Sequence, residues 1–205
     1  MNRKDFISLS ALGLLGLYSC GTSALMNPRK NLGIQLYTIR DAVSENVEKA
    51  LEKLAEMGFK NLEIYGYNGS FFGKTKNEFQ QILKNTGLKV ISSHHTSGLL
   101  DTNKGTLQND WEKSVEDLHF LGAEYMVCSY LFPEERTKKT YKKLPELLEK
   151  SAFITKNAGI QFAYHNHDFE FEDFENGENF YDFLLKNTSP DLVKIELDLY
   201  WISKI

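Results

Sequence analysis

Gly159-Ile160-Gln161-Phe162-Ala163-Tyr164-His165-Asn166-His167-Asp168-Phe169-Glu170-Phe171-Glu172-Asp173 is the stretch on which the reading of this chain turns. Ile160 to Tyr164 are mostly apolar or β-prone and follow Gly159, a helix-ending residue type, so they predict a strand. The strand then passes directly into His165, Asn166, His167, Asp168 and Glu170. Side chains alternate faces along an extended segment, so His165 and His167 point the same way. Imidazole next to carboxylate suits Zn, Mn, Fe or Co better than Ca. A solvated polar strand end is the competing reading.

The same design recurs outward from this stretch. Expected strands are Leu32 to Ile39, Asn61 to Tyr65, Leu88 to Ser93, Tyr125 to Tyr130 and Leu192 to Leu199. Between them lie helical patterns: one capped by Ser44 and closed by Gly58, then Thr75 to Thr86, Gln108 to Leu121, Thr137 to Asn157 and Glu178 to Leu185. Pro145 falls inside the fourth and predicts a break or kink. Six strands alternating with helices predict βαβ units and a parallel sheet.

Polar residues choose between the two common parallel architectures. Glu63, His94, His95, Ser129, His165, His167, Glu196 and Asp198 lie in or at the ends of several strands. A doubly wound sheet gathers its ligands at one switch point, whereas a (β/α)8 barrel collects them from many strand ends. The distribution favours an α/β fold of the (β/α)8 TIM-barrel type. A barrel needs eight strands and six are countable, so the barrel is expected to be incomplete, with two strands missing from this sequence.

Composition sets further bounds. The 205 residues are 41% hydrophobic and 25% charged, as in a globular protein, and leave room for one ordinary domain. The net charge of −4 argues against a nucleic-acid grip, which needs clustered Lys and Arg. Arg3 and Lys4 followed by the apolar run Ile7 to Tyr18 read as an export signal too short to span a bilayer. Leu17-Tyr18-Ser19-Cys20 resembles a bacterial lipobox. The expected division is 1–20 export signal with lipidation at Cys20, 21–30 tether and 31–205 barrel domain. The protein is then expected in the periplasm or as a membrane-anchored lipoprotein of a Gram-negative bacterium. With Cys20 lipidated, Cys128 has no disulfide partner and reads as a buried apolar residue.

The runs YHNHDFEF (Tyr164 to Phe171) and IELDLYW (Ile195 to Trp201), with GIQLYTIRD (Gly33 to Asp41) and NLEIYGY (Asn61 to Tyr67), resemble the xylose-isomerase-like barrel family of sugar phosphate isomerases and epimerases. The resemblance implies a barrel with one divalent metal at its C-terminal mouth (Mn, Zn, Co or Mg) and a small-molecule sugar or keto-sugar as partner. It implies metal ligands from strands five to eight. Asp198 matches the family's metal-binding aspartate, and His165 stands where many members carry a glutamate that is both ligand and base. Glu170 could supply that carboxylate. The implied roles are therefore His165 and Asp198 for metal and His167 and Glu170 for proton transfer. Glu63, His95, Glu196 and Trp201 are the candidate substrate contacts. His94 and His95 face opposite ways, and the reading leans to His95 as the one reaching the pocket.

Isomerising a sugar commonly removes a proton next to a carbonyl, with a metal polarising the oxygen and a carboxylate or His taking the proton. The same parts serve β-elimination from a keto-sugar. The rival from another class is a non-catalytic carbohydrate-binding lipoprotein on a degenerate barrel, motivated by His165 in place of the glutamate.

Overall fold

A computed structural model describes residues 32–205, and the expected export signal, Cys20 and tether lie outside the described residues. The chain forms β1 (Gly33–Gln35), α1 (Arg40–Glu56), β2 (Asn61–Tyr65), α2 (Lys76–Thr86), β3 (Lys89–Thr96), α3 (Trp111–Leu121), β4 (Tyr125–Tyr130), α4 (Lys138–Asn157) and β5 (Gln161–His165). After β5 come a small antiparallel pair, β6 (Asp173–Glu175) with β7 (Glu178–Asn179), then α5 (Phe180–Asn187), β8 (Val193–Glu196) and α6 (Leu199–Ile202).

Local signals set most of these boundaries. Thr75 and Glu78 cap α2 reciprocally: Thr75 Oγ1 accepts the Glu78 N–H at 3.3 Å and Glu78 Oε2 accepts the Thr75 N–H at 2.8 Å. Gly87 ends that helix in the left-handed region at φ 69°, which glycine adopts without a Cβ clash. The first strand is shorter than expected, because the chain tightens into a 3₁₀ turn at Leu36–Ile39. Ser44 is not the cap of α1. Asn46 leaves helical geometry (φ −160°, ψ 100°) and its Oδ1 accepts the Lys49 N–H at 3.0 Å, so the short amide resets the helix two residues later. The break expected at Pro145 is absent: α4 runs through it, with Leu144, Pro145 and Leu148 buried. Packing there outweighs the hydrogen bond that proline cannot make.

The six parallel strands lie in the order β1-β2-β3-β4-β5-β8, each beside its predecessor in the parallel series. A doubly wound sheet would reverse direction at a switch point, and none occurs among the described residues. One face packs on the helices through Leu62, Ile64, Val90, Met126, Cys128, Phe162 and Tyr164, all essentially inaccessible. The opposite face carries Glu63, Ser92, Val127, Ala163 and Glu196 around a hollow of about 480 Å³. The sheet curls strongly. Glu63 and Glu196 are four strand positions apart, roughly 19 Å in a flat sheet, yet their carboxylate oxygens lie within 4.8 Å of one another. The fold is the α/β barrel type read from the sequence, with six strands in its parallel sheet among the described residues. Among these residues no helix is long and apolar enough to cross a membrane.

Candidate active site at the strand C-termini

The C-terminal strand ends open into a cavity of about 970 Å³. Its floor is set by a register shift. Between Leu62 and Glu63 the pairing of β2 with β3 slips by one, so Glu63 faces Ser92 rather than Ile91. Two residues further on, His94 therefore shares the inner face with Glu63. His94 Nε2 lies 3.0 Å from Glu63 Oε1 and 2.8 Å from Glu196 Oε2. The Gln35 amide donates to Glu63 at 2.9 Å and sits 3.2 Å from His94 Nδ1.

Burial alone would push the His94 pKa down, but hydrogen bonds and charge from Glu196 and Glu63 outweigh it and raise the pKa to about 9. Burial also opposes the charged form of Glu63, yet His94 holds that carboxyl well below its usual range. Burial, with Glu63 close by, raises Glu196. The cluster is thus an imidazolium clasped by two carboxyls.

A second group adjoins it. His165 Nε2 lies 3.2 Å from Asp198 Oδ2. Asp198 Oδ1 accepts the N–H groups of Tyr200 (2.8 Å) and Trp201 (3.2 Å) at the start of α6, and its own N–H donates to Asn166 Oδ1 at 2.9 Å. Burial and then the His94 charge lower the His165 pKa, which keeps that ring neutral. Burial works against the Asp198 carboxylate, but the Trp201 N–H, His165 and the Tyr200 N–H outweigh it and lower its pKa. The His167 ring centroid lies 4.8 Å from that of His165, and His167 stacks on Phe169 and packs against Trp201 at 5.0 Å. Burial, the neighbouring His165 and Arg136 lower His167 to about 4. The Nδ1 atoms of His165 and His167 are buried and have no hydrogen-bond partner among the described residues.

The expected site residues thus fall into two sets. Glu63, Glu196, His165, His167, Asp198 and Trp201 converge at the mouth, joined by His94. Glu170 sits behind the loop it supports, fully buried, accepting Tyr164 Oη–H at 2.8 Å and the His167 N–H at 2.8 Å. Burial pushes its pKa up to about 7. His95 lines the same cavity, but its Nδ1 lies 2.7 Å from Gly105 O, its ring is edge-on to Trp111, and burial lowers its pKa to about 4. It is His94 that the strand points at Glu63 and Glu196. Phe71 is buried and anchors its loop by stacking on Phe79. Gln35 and Arg136, both at the cavity, are features the sequence reading missed; Arg136 sits in a charged loop with no periodicity to mark it.

Among the described residues, Glu63, His94 and Glu196 form one group of three whose atoms are close enough to hold a metal ion. A curled parallel sheet that presents imidazoles and carboxylates at its C-terminal mouth places the candidate site where a (β/α) barrel gathers its functional groups. The chain belongs to the xylose isomerase-like TIM barrel family, which it matches over residues 51–205. It is similar to a sugar phosphate isomerase/epimerase from Parabacteroides distasonis, with 30% identity, TM-score 0.73, and coverage of 91% of this chain and 71% of that one. A second sugar phosphate isomerase/epimerase structure from the same organism is 27% identical with TM-score 0.73, covering 85% and 71%. The fold alone is shared with a xylose isomerase-like TIM barrel protein from Mycobacterium smegmatis in complex with magnesium (16% identity, TM-score 0.55, covering 77% and 57%). No curated protein sequence matches significantly.

Proposed function

We propose that the protein is a divalent-metal-dependent sugar isomerase or epimerase that abstracts a proton next to a carbonyl, with β-elimination from a keto-sugar as the other outcome open to the same groups. What carries the reading is that His165, Asp198 and His94 line one cavity, a neutral His165 beside an ionised Asp198 and a charged His94 held by Glu63 and Glu196 of the adjoining hollow. The names of the Parabacteroides relatives support it. His165 and Asp198 hold the ion: their facing N and O atoms, 3.2 Å apart, suit two neighbouring ligands with bonds of about 2.0–2.1 Å. When bound, the ion supplies Lewis acidity to a substrate carbonyl. His167, neutral and lining the cavity, takes the proton, and His94 returns one. Two imidazoles with pKa values driven apart make a natural base and acid pair. Glu170 acts through His167 by fixing its backbone N–H.

A second reading puts the ion between Glu63, His94 and Glu196, whose atoms lie within 4.8 Å of one another. Metal analysis separates the two. Asp198→Ala is expected to weaken metal binding by at least about 100-fold, beyond the 10–100-fold typical of losing a supporting residue, while His94→Ala keeps the ion. The reverse pattern would move the ion to the second set. Solvent deuterium entering a carbon-bound position of a ketose marks proton abstraction. Sugar affinity that survives chelator without any turnover would replace the enzyme by a carbohydrate-binding protein.

The sequence of residues 1–20 supports export and a lipid anchor at Cys20 as part of the same proposal. Cys20→Ser is expected to shift the protein from the membrane to the soluble fraction. Retention of that variant on membranes would remove the anchor.

A further inference from the structure

His165 and His167 both line the cavity, and Asn166 between them is fully buried. Its side-chain amide makes two bonds. Oδ1 accepts the Asp198 N–H at 2.9 Å, and an Nδ2–H donates to the His167 carbonyl at 3.3 Å. These partners allow one orientation of the amide. A backbone N–H can only donate and a carbonyl can only accept, so exchanging the amide O and N would set like against like at both ends.

The place of these bonds in the sheet gives them their weight. The ladder between β5 and β8 ends at the pair His165 and Glu196. Asp198 lies two residues beyond it, past the end of β8, and the Asn166 amide supplies the next link across. With its N–H held there and its Oδ1 spent on the Tyr200 and Trp201 N–H groups, Asp198 presents Oδ2 to His165 Nε2 at 3.2 Å. The second bond acts on the other histidine. Glu170 accepts the His167 N–H and Asn166 donates to the His167 C=O, so buried side chains fix both backbone polar groups of that residue.

We infer that Asn166 is a positioning residue: one buried amide ties the loop after β5 to the end of β8 and thereby sets Asp198 Oδ2 against His165 Nε2. This rests on the reading of His165 and Asp198 as the ligands of the ion, and adds to it the group that aligns them. The competing role is a staple that adds stability to the loop and leaves the alignment alone.

Two measurements on the full-length protein separate these roles in wild type, Asn166→Ala and Asn166→Asp. One is cobalt(II) affinity by calorimetry, well below each melting temperature; the other is the crystal structure of each metal-free protein. In Asn166→Ala the contact between His165 and Asp198 should open beyond about 3.5 Å, out of hydrogen-bond range. Cobalt should bind that variant about 10–100-fold more weakly than wild type, the range for losing a group that orients a ligand. A staple would lower the melting temperature and move neither reading. A contact that stays at 3.2 Å in Asn166→Ala overturns the inference, whatever the affinity. If Asn166→Ala does not fold, Asn166→Asp decides, because it keeps an oxygen for the Asp198 N–H. The contact should persist in that variant where the N–H bond persists and open where it is lost; either one without the other overturns the inference. An opened contact in Asn166→Ala with undiminished cobalt affinity, or with no cobalt bound by wild type, sinks the assignment of the ion to His165 and Asp198 and leaves the positioning role standing.

Discussion

Replacing His94 by asparagine is expected to cut turnover by about 10²–10⁴-fold, the range for losing a positioned proton donor, while the ion at His165 and Asp198 stays bound. It should also flatten the alkaline limb of the stability profile. The His94 pKa rises from 6.5 to about 9 in the folded chain. A group whose folded pKa is raised contributes stability that is complete below its unfolded pKa and is lost as pH climbs through the folded one. Metal-free wild type should therefore lose about 3 kcal/mol between pH 6.5 and 9 from this residue, and the variant should not. Melting temperatures across that window decide the matter. Parallel curves for the two proteins would mean that the imidazolium is not held by Glu63 and Glu196.

Glu170 gives the second large effect, in a lower window. Its carboxyl is buried and its pKa is raised from 4.5 to about 7. The sign is the same as for His94: the protonated form is favoured by folding, so stability is full below pH 4.5 and falls as pH rises through 7. The loss is about 3 kcal/mol for complete ionisation. Glu170→Gln keeps one oxygen to accept the His167 N–H, can donate its amide N–H to the Tyr164 hydroxyl oxygen, and cannot ionise. The variant should match wild type near pH 4.5 and exceed it at pH 8, with chelator present in both. A wild-type curve no steeper than the variant's between pH 4.5 and 7 would contradict this. Turnover of Glu170→Gln should change far less than that of His94→Asn, because the residue reaches substrate only through the His167 backbone.

The fold was legible because its signals are local. Thr75 with Glu78, Gly87 after Thr86, Thr137 before Lys138 and Gly122 after Leu121 are each decided within a turn of helix. The small β6–β7 pair was not legible. Glu172, Asp173 and Glu175 have the charge of a solvated loop, but Phe174 between them is buried against Tyr141 and Phe180. A hairpin of so few residues gives no periodicity. At the site, His165, His167 and Asp198 could be read because they sit at or just past the C-terminal ends of apolar strand patterns, His165 closing β5 and Asp198 following β8. The choice between His94 and His95 could not, since it depends on the slip at Leu62/Glu63, a property of two paired strands rather than of either alone. Glu170 misled for a related reason: its composition is that of a charged run, and only packing shows that it lies beneath His167.

The neighbour-to-neighbour strand order also bears on how the chain assembles. Gln35 meets Glu63 after 28 residues, and β4 meets β5 and β5 meets β8 over comparably short spans. Each new strand therefore closes one modest loop onto a surface already in place, an entropic cost that grows only with the logarithm of loop length. A doubly wound order would have to leave a strand unpaired while the chain crossed to the far side of the sheet. Here nascent chain leaving a ribosome can dock each βα unit on the last, so the order of synthesis and the order of docking coincide.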